Sequence, residues 1–399
     1  MRLPAARPRL SAVMSAPRSA DAGAAVSRRA RHAAIFAVIL AAQFGLFETA
    51  LRFWGHSEAA PAFQGLFDGD AAAGYRLKPN ARVRFATSEF DTQIHINADG
   101  VRDDQPIGAK APNERRILLL GDSLVLSVQV PFERTFGELL ERRLNARGSA
   151  NRYRVINAGV QGYGPVEELL FFRSIAARFQ PDLVLTTVFV GNDAEEAVRS
   201  APRLLGDARP ATSAAAESMT TRLRRIVRRS MVLQLLRLRV VSATERFSGT
   251  LAAPEPPLQS YAANPAPRIA EGLEVTRQCL REIDSLARTN GARTAIALMP
   301  ARFQIDDADY GRLKEAVASA GGELQRDAAS QRFAAALAPL SLPQVDLLPT
   351  LRQALPGPDL FFQETVHLTP RGHEVVAAAL ETFIDEQHLL SPQPAQPRR

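Results

Sequence analysis

The chain has 399 residues, of which 46% are hydrophobic and 23% are charged, values typical of a chain with a packed core. Its formal net charge is +7, and two short segments, residues 1–31 and 219–239, each contain seven arginines. The first segment has one acid and the second has none, so the remainder carries a net charge of −6. Because the bulk of the chain is mildly acidic, the composition argues against nucleic acid as its main partner.

Residues 1–32 are rich in Ala, Arg, Ser and Pro and are predicted to be a disordered cytoplasmic tail. Residues 33–54 follow as a nearly uncharged run of bilayer length that ends in Arg-Phe-Trp, and we predict a transmembrane anchor there. Three arginines precede the run, so the rest of the chain is expected outside the cytoplasm. A cleaved signal peptide is a second interpretation. A buried core helix is a third, because Glu48 interrupts the run.

Residues 55–112 are predicted to form a small juxtamembrane extension that contains β-strands. Two stretches, "YRLKPNARVRF" and "FDTQIHINADGVRDD", alternate between apolar and polar residues, and "NADG" supplies a turn.

Residues 113–390 alternate between buried strands and amphipathic helices, which is the pattern of a parallel sheet with helices on both faces. The predicted strands are "RRILLLGDS", "YRVINAGV", "PDLVLTTVFVGND", "ARTAIALMP" and "PQVDLLP". The predicted helices are "ERTFGELLERRLNARG", "PVEELLFFRSIAARF", "IAEGLEVTRQCLREIDSLARTNG" and "TPRGHEVVAAALETFIDEQH". We therefore predict a three-layer α/β fold with a flavodoxin-like parallel sheet.

A helical insertion over residues 200–265 interrupts this alternation. Within it, residues 219–241 have the pattern of a basic amphipathic helix, which is favoured to pack on the core and could alternatively lie on a membrane surface. Residues 391–399 are predicted to be a disordered tail. Cys279 is the only cysteine and is expected to be buried in a helix, so no intrachain disulfide is possible. No metal-binding spacing occurs, and we expect neither a metal nor a cofactor.

Four groups of polar residues follow predicted strands or precede the last helix: Asp122-Ser123, then 157–162, 191–193 and 364–367. In a parallel α/β sheet they can meet at the carboxyl edge, where such sheets bind ligands. They supply a hydroxyl, an imidazole, a carboxylate, an amide and glycine N–H groups, which are the groups that acyl transfer requires. Taken alone, Ser123 could instead be a helix N-cap.

These groups resemble the four sequence blocks of the GDSL, or SGNH, hydrolases, a family of serine esterases, lipases and carbohydrate deacetylases. The blocks are "GDSL" at 121–124, "NAGVQG" at 157–162, "VGND" at 190–193 and "ETVH" at 364–367, with Glu where the family usually has Asp. The resemblance covers residues 113–200 and 265–390. The segment "INADGVRDD" and the anchor resemble a membrane-attached bacterial branch, which implies the bacterial inner membrane and a periplasmic catalytic domain.

The resemblance implies a role for each residue. Ser123 would be the nucleophile, His367 the general base and acid, and Glu364 the carboxylate that orients the imidazole. The N–H groups of Ser123 and Gly162 and the side chain of Asn192 would form the oxyanion hole.

Several assignments remain open at this point. Asp359 could replace Glu364, or a Ser–His pair could act with a backbone carbonyl as the orienting group. His373, in the last helix, is expected to be structural. Asp193 is expected to brace its loop, and Asp122 to fix the turn before the serine.

The sequence therefore predicts a membrane-anchored, extracytoplasmic serine esterase acting on an ester of an envelope glycan or a lipid. An O-acyltransferase acting on envelope polysaccharide is an alternative, because the same acyl-serine would serve it. A third hypothesis is a non-catalytic scaffold that binds envelope glycan.

Overall fold

A computed structural model describes residues 65–205, 258–319, 321–354 and 360–391, together with parts of 31–46. The predictions for residues 1–30, the helix 219–241, Asp359 and the tail beyond 391 lie outside the described residues. In the predicted anchor, residues 35–36, 38–40 and 42–46 are described and helical, and the large apolar side chains among them are exposed. Within the parts of the chain that the structure describes, no helix is both long and apolar enough to span a membrane.

Two antiparallel hairpins precede the main sheet, as predicted for the extension. Strand β1 (Phe67–Asp70) pairs with β2 (Gly74–Leu77), and β3 (Arg82–Ala86) pairs with β4 (Asp91–His95). Their apolar side chains, Ile94 among them, belong to the same hydrophobic core as the main sheet.

Five strands form the main sheet, and every neighbouring pair is parallel. They are β5 (Glu114–Gly121), β6 (Arg152–Gly159), β7 (Leu183–Phe189), β8 (Arg293–Met299) and β9 (Gln344–Asp346). Their spatial order is β6-β5-β7-β8-β9, which is the 2-1-3-4-5 order of flavodoxin-like folds. The predicted parallel sheet is therefore confirmed. Strand β6 lies on one side of β5, and β7, β8 and β9 follow on the other side, so the strand order reverses between β5 and β7.

Nine α-helices among the described residues surround this sheet. They are α1 (Ser123–Leu126), α2 (Phe136–Asn145), α3 (Pro165–Phe179), α4 (Asp193–Ser200), α5 (Pro267–Thr289), α6 (Asp307–Ser319), α7 (Ala328–Leu337), α8 (Leu348–Gln353) and α9 (Pro370–Glu386). All seven residues of β7 are buried. Because successive side chains of a strand point to opposite faces, this burial requires cover on both faces of the sheet.

The close packing of α5 on α4 fixes the position of the loop that precedes α4. A Cβ atom placed on Gly272 of α5 would lie 1.8 Å from the carbonyl oxygen of Ala194, so only glycine permits this approach. Cys279 lies on the same helix and is 1% exposed, as expected.

Candidate active site

Ser123 is the first residue of α1, directly after strand β5. The N-cap of this helix is Asp122, whose carboxylate accepts a hydrogen bond from the N–H of Leu124 at 2.8 Å. The interpretation of Ser123 as the N-cap is therefore wrong, whereas the expected role of Asp122 in the turn is confirmed. The Ser123 side chain makes no hydrogen bond with any described residue, and the residue is 8% exposed. Its hydroxyl is left available at the carboxyl edge of the sheet.

The register of the sheet brings the ends of three strands together. Gly121 at the end of β5 is paired with Gly159 at the end of β6, and β7 lies on the other side of β5. Gly162 follows β6 in the left-handed backbone region, with φ of +72°, and its backbone is exposed. Asn192 follows β7 as the N-cap residue of α4, and its side-chain oxygen is buried without a described partner. Ser123 and Asn192 therefore follow the two strands that flank the reversal in strand order, and Gly162 follows the neighbouring strand β6.

His367 lies in the loop before α9, next to a short antiparallel bridge between Phe361 and Leu368. Both ring nitrogens are shielded from solvent and have no hydrogen-bond partner among the described residues. Burial lowers the pKa of the His367 imidazole to about 4. The ring is thus neutral at pH 7, the state in which it can accept a proton.

His373 connects the His367 loop to the neighbourhood of α1. Its Nδ1 accepts a hydrogen bond from the N–H of Phe136 at 3.2 Å, and the two rings stack with centroids 5.6 Å apart. Burial, then the nearby Arg102 and His367, lower the pKa of His373 to about 3. Arg102 in turn donates to the carbonyl of Leu126, the last residue of α1, at 2.7 Å. Among the described residues, His367 and Ser123 share no hydrogen bond.

Glu364 is not brought to His367 in this structure. It is exposed, and its Oε2 accepts a hydrogen bond from the hydroxyl of Ser88 at 2.8 Å. The assignment of Glu364 as the orienting carboxylate therefore stays a prediction.

A cluster of buried carboxyl groups lies behind the nucleophile; it consists of Asp122, Glu168, Asp193 and Glu196 and is called the acid cluster below. Burial raises the pKa of Asp122 to about 6. Burial, then the charge of Asp122, raises the pKa of Glu196 to about 8. The pKa values of the other two are raised by burial and by their acidic neighbours. Asp193 also accepts from the N–H of Phe189 at 2.9 Å, the bracing that the sequence predicts.

A cavity of about 480 Å³ adjoins the site between the end of β7 and the His367 loop. Its walls are mostly apolar and include Phe189, Gly191, Tyr261, Phe303, Leu313 and Val366. Of the candidate catalytic residues, Glu364 lines the cavity, and Gly191 and Val366 are the chain neighbours of Asn192 and His367. Within the described residues, no group of His, Cys, Asp and Glu side chains is arranged to hold a metal ion.

Comparison with known proteins finds a matching family model for the last third of the chain. The family model described as the SGNH hydrolase-like domain of acetyltransferase AlgX matches residues 260–398. The match covers about a third of the chain and supports the resemblance of the sequence blocks to the GDSL/SGNH hydrolases. No curated protein matches the sequence.

Solved structures that match the chain include several esterases. TesA shares 13% identity, with a TM-score of 0.39, and the alignment covers 68% of this chain and 99% of TesA. A lipase/acylhydrolase from Enterococcus faecalis shares 16% identity, with a TM-score of 0.37 and coverage of 70% and 100%. A catalytic mutant of Axe2, an acetylxylan esterase from Geobacillus stearothermophilus, shares 13% identity, with a TM-score of 0.37 and coverage of 73% and 100%.

Proposed function

We propose that the protein is a serine esterase that forms an acyl-enzyme on Ser123. The observation that carries this proposal is the hydroxyl of Ser123, which is free of any capping bond at the reversal of strand order. The neutral imidazole of His367 is the proposed base, and catalytic hydrogen bonds often tighten only when substrate binds.

The proposed reaction needs no group beyond those in the site. The Ser123 oxygen attacks the ester carbonyl carbon while His367 takes the hydroxyl proton. The negative charge that develops on the carbonyl oxygen is stabilised by the N–H groups of Ser123 and Gly162 and by the side-chain amide of Asn192. His367 then gives the proton to the departing alcohol. Water, activated by the same imidazole, releases the acid from the serine.

Glu364 is proposed to orient His367 after its carboxylate leaves Ser88. A carboxylate beside the imidazole would raise the pKa of His367 from its value in the unpartnered state and would stabilise the imidazolium formed during the reaction. A Ser–His pair without Glu364 is the alternative.

Transfer of the acyl group to a sugar hydroxyl is a second candidate function. It is favoured by the description of the matching family model, which names an acetyltransferase. In that reaction a sugar hydroxyl replaces water in the second step and the acyl-serine is unchanged. The apolar cavity beside the site offers room for either half of the substrate.

We further propose that residues 33–54 anchor the protein in the bacterial inner membrane, with the catalytic domain in the periplasm. The length and composition of this segment support the proposal. An envelope glycan or a lipid ester is the proposed substrate for a catalytic domain in that compartment.

Hydrolysis of p-nitrophenyl acetate by the full chain tests the proposed activity. Wild type should release acetate, Ser123→Ala should not, and Ser285→Ala, a change at an exposed serine on α5, should retain the wild-type rate. Acetylated sugar formed at the expense of acetate when a glycan acceptor is added would identify a transferase. Absence of turnover by folded wild type with and without the acceptor would support the non-catalytic scaffold and contradict both proposals.

A further inference from the structure

The first hairpin of the extension contacts the candidate oxyanion loop through Tyr75. The Tyr75 hydroxyl donates a hydrogen bond to the carbonyl oxygen of Gln161 at 2.7 Å. That carbonyl belongs to the same peptide unit as the N–H of Gly162. A carbonyl that accepts a hydrogen bond is held in place, and the N–H of its peptide becomes a better donor.

Tyr75 is itself held in a defined position. Its ring meets the rings of Phe67 and Tyr163 edge-on, each with a centroid separation of 5.4 Å, and the Tyr163 hydroxyl donates back to the carbonyl of Tyr75. Burial, then the nearby Glu167, raises the pKa of Tyr75 to about 12, so the hydroxyl keeps its proton at any working pH.

The second hairpin contacts the loop that carries His367. The two carboxylate oxygens of Glu89 accept hydrogen bonds from the consecutive N–H groups of Gln363 and Glu364, at 2.6 and 2.8 Å. The rings of Phe90 and Phe362 lie in contact, with centroids 5.3 Å apart. The backbone before His367 is therefore attached to the β3–β4 turn.

A second side chain holds the same stretch through its carbonyl groups. Arg302, which follows β8, donates from Nη1 to the carbonyls of Phe362 and Gln363 at 2.8 and 2.6 Å. The loop is thus held through its N–H groups by the extension and through its carbonyls by the main domain, and loss of Glu89 would remove the backbone hydrogen bonds from the extension.

We propose that the extension positions two loops of the catalytic site. Tyr75 positions the N–H of Gly162, and Glu89 positions the loop that carries His367. The proposal rests on the esterase function proposed above. Neither residue touches the reacting atoms, so both are positioning residues, and both lie far along the chain from the loops that they hold.

Tyr75→Phe is the sharpest test, because it removes the hydroxyl and keeps the ring contacts. We expect kcat for p-nitrophenyl acetate to fall about tenfold with KM within about twofold, since one positioning hydrogen bond is lost. Hydrogen–deuterium exchange should quicken in the 160–164 segment and stay unchanged in the main sheet. Tyr310→Phe is the matched control, because it removes a hydroxyl that donates to the carbonyl of Leu324 at 3.2 Å, outside both loops, and it should change neither readout.

Glu89→Gln tests the second contact. The amide can accept through only one oxygen, so we expect a fall in kcat of about tenfold and faster exchange over residues 362–367. Glu89→Asp, which keeps two acceptor oxygens, should recover part of the loss. Glu282→Gln, which removes an exposed carboxylate paired with Arg173, is the control and should behave as wild type.

The outcomes separate this proposal from the proposed function. If wild type does not turn over ester, the function fails, and the exchange measurements still decide whether the hairpins hold the two loops. If wild type is active but both variants keep its kcat and its local exchange, the positioning roles are refuted and the esterase stands. A loss of activity accompanied by faster exchange throughout the chain would show that the contacts serve only folding, and would also overturn the proposal.

Discussion

Replacing Glu196 by Gln should stabilise the folded protein at neutral pH. Glu196 lies on α4 in the acid cluster, and burial, followed by the charge of Asp122, raises its pKa from 4.5 to about 8. One of its oxygens pairs with Arg199 at 3.0 Å, and the other is buried without a described partner. The folded protein therefore holds this carboxyl in its protonated form at a pH where the unfolded chain does not.

The magnitude follows from the two pKa values. Between pH 4.5 and about 8 the unfolded chain has released a proton that the folded protein retains, so each pH unit lowers the free energy of unfolding by about 1.4 kcal/mol. The accumulated loss at pH 7 is on the order of 3 kcal/mol. Gln avoids this loss. Because the folded carboxyl is neutral at pH 7, its contact with the largely exposed Arg199 is a hydrogen bond rather than an ion pair, and replacing it costs at most about 1 kcal/mol. We expect a net gain of about 2 kcal/mol at pH 7 and almost none at pH 4.

Urea unfolding of the full chain at pH 4, 5.5, 7 and 8 measures this difference directly. Glu374→Gln, at an exposed glutamate 3.7 Å from Arg371, is the matched control and should change stability by less than about 0.5 kcal/mol at every pH. A gain for Glu196→Gln that does not grow with pH, or a loss at pH 7 and 8, would refute the reasoning about the acid cluster.

Three further predictions follow from the site and its support. Asn192→Ala should lower kcat by about 10²- to 10³-fold with the fold intact by circular dichroism, and a full-rate variant would remove Asn192 from the oxyanion hole. Gly272→Ala would place a Cβ atom 1.8 Å from the carbonyl oxygen of Ala194. We expect it to lower the free energy of unfolding by roughly 1–3 kcal/mol, and an unchanged melting temperature would contradict the packing of α5 on α4. Burial lowers the pKa of His367 to about 4, so kcat/KM should rise as the pH passes through that value and then level off. An inflection of the pH profile near 7 would instead show that a carboxylate reaches the His367 ring before substrate binds.

The strands and long helices of the main domain could be predicted because their signals are local. The run Ile117–Leu120 is fully buried in β5. In α5, the apolar residues that recur with the helical period are the ones that the structure buries. Helices α6, α7 and α8 were not predicted. The sequences of α6 and α7 combine alanines with polar residues in a weak apolar pattern, and α8 has only six residues. That Asp122 rather than Ser123 is the N-cap also required the structure, because both residue types cap helices.

The contacts that support the candidate site could not be predicted from sequence patterns. Tyr75 and Gln161 are 86 positions apart, and Glu89 and Glu364 are 275 apart, so no local period links them. The acid cluster was missed for a related reason. Glu168 lies in the first turn of α3, where acidic side chains are common because they interact favourably with the helix dipole. Only the folded structure shows that Glu168 is buried near other carboxyl groups.

Covalent labelling of the full chain with a fluorophosphonate, followed by mass mapping of the modified peptide, tests most directly whether this protein makes an acyl-serine. One adduct per chain on Ser123, slowed strongly in His367→Ala and retained in Ser285→Ala, is the expected result. Folded protein that stays unlabelled, or that carries its adduct on another residue, would contradict the account.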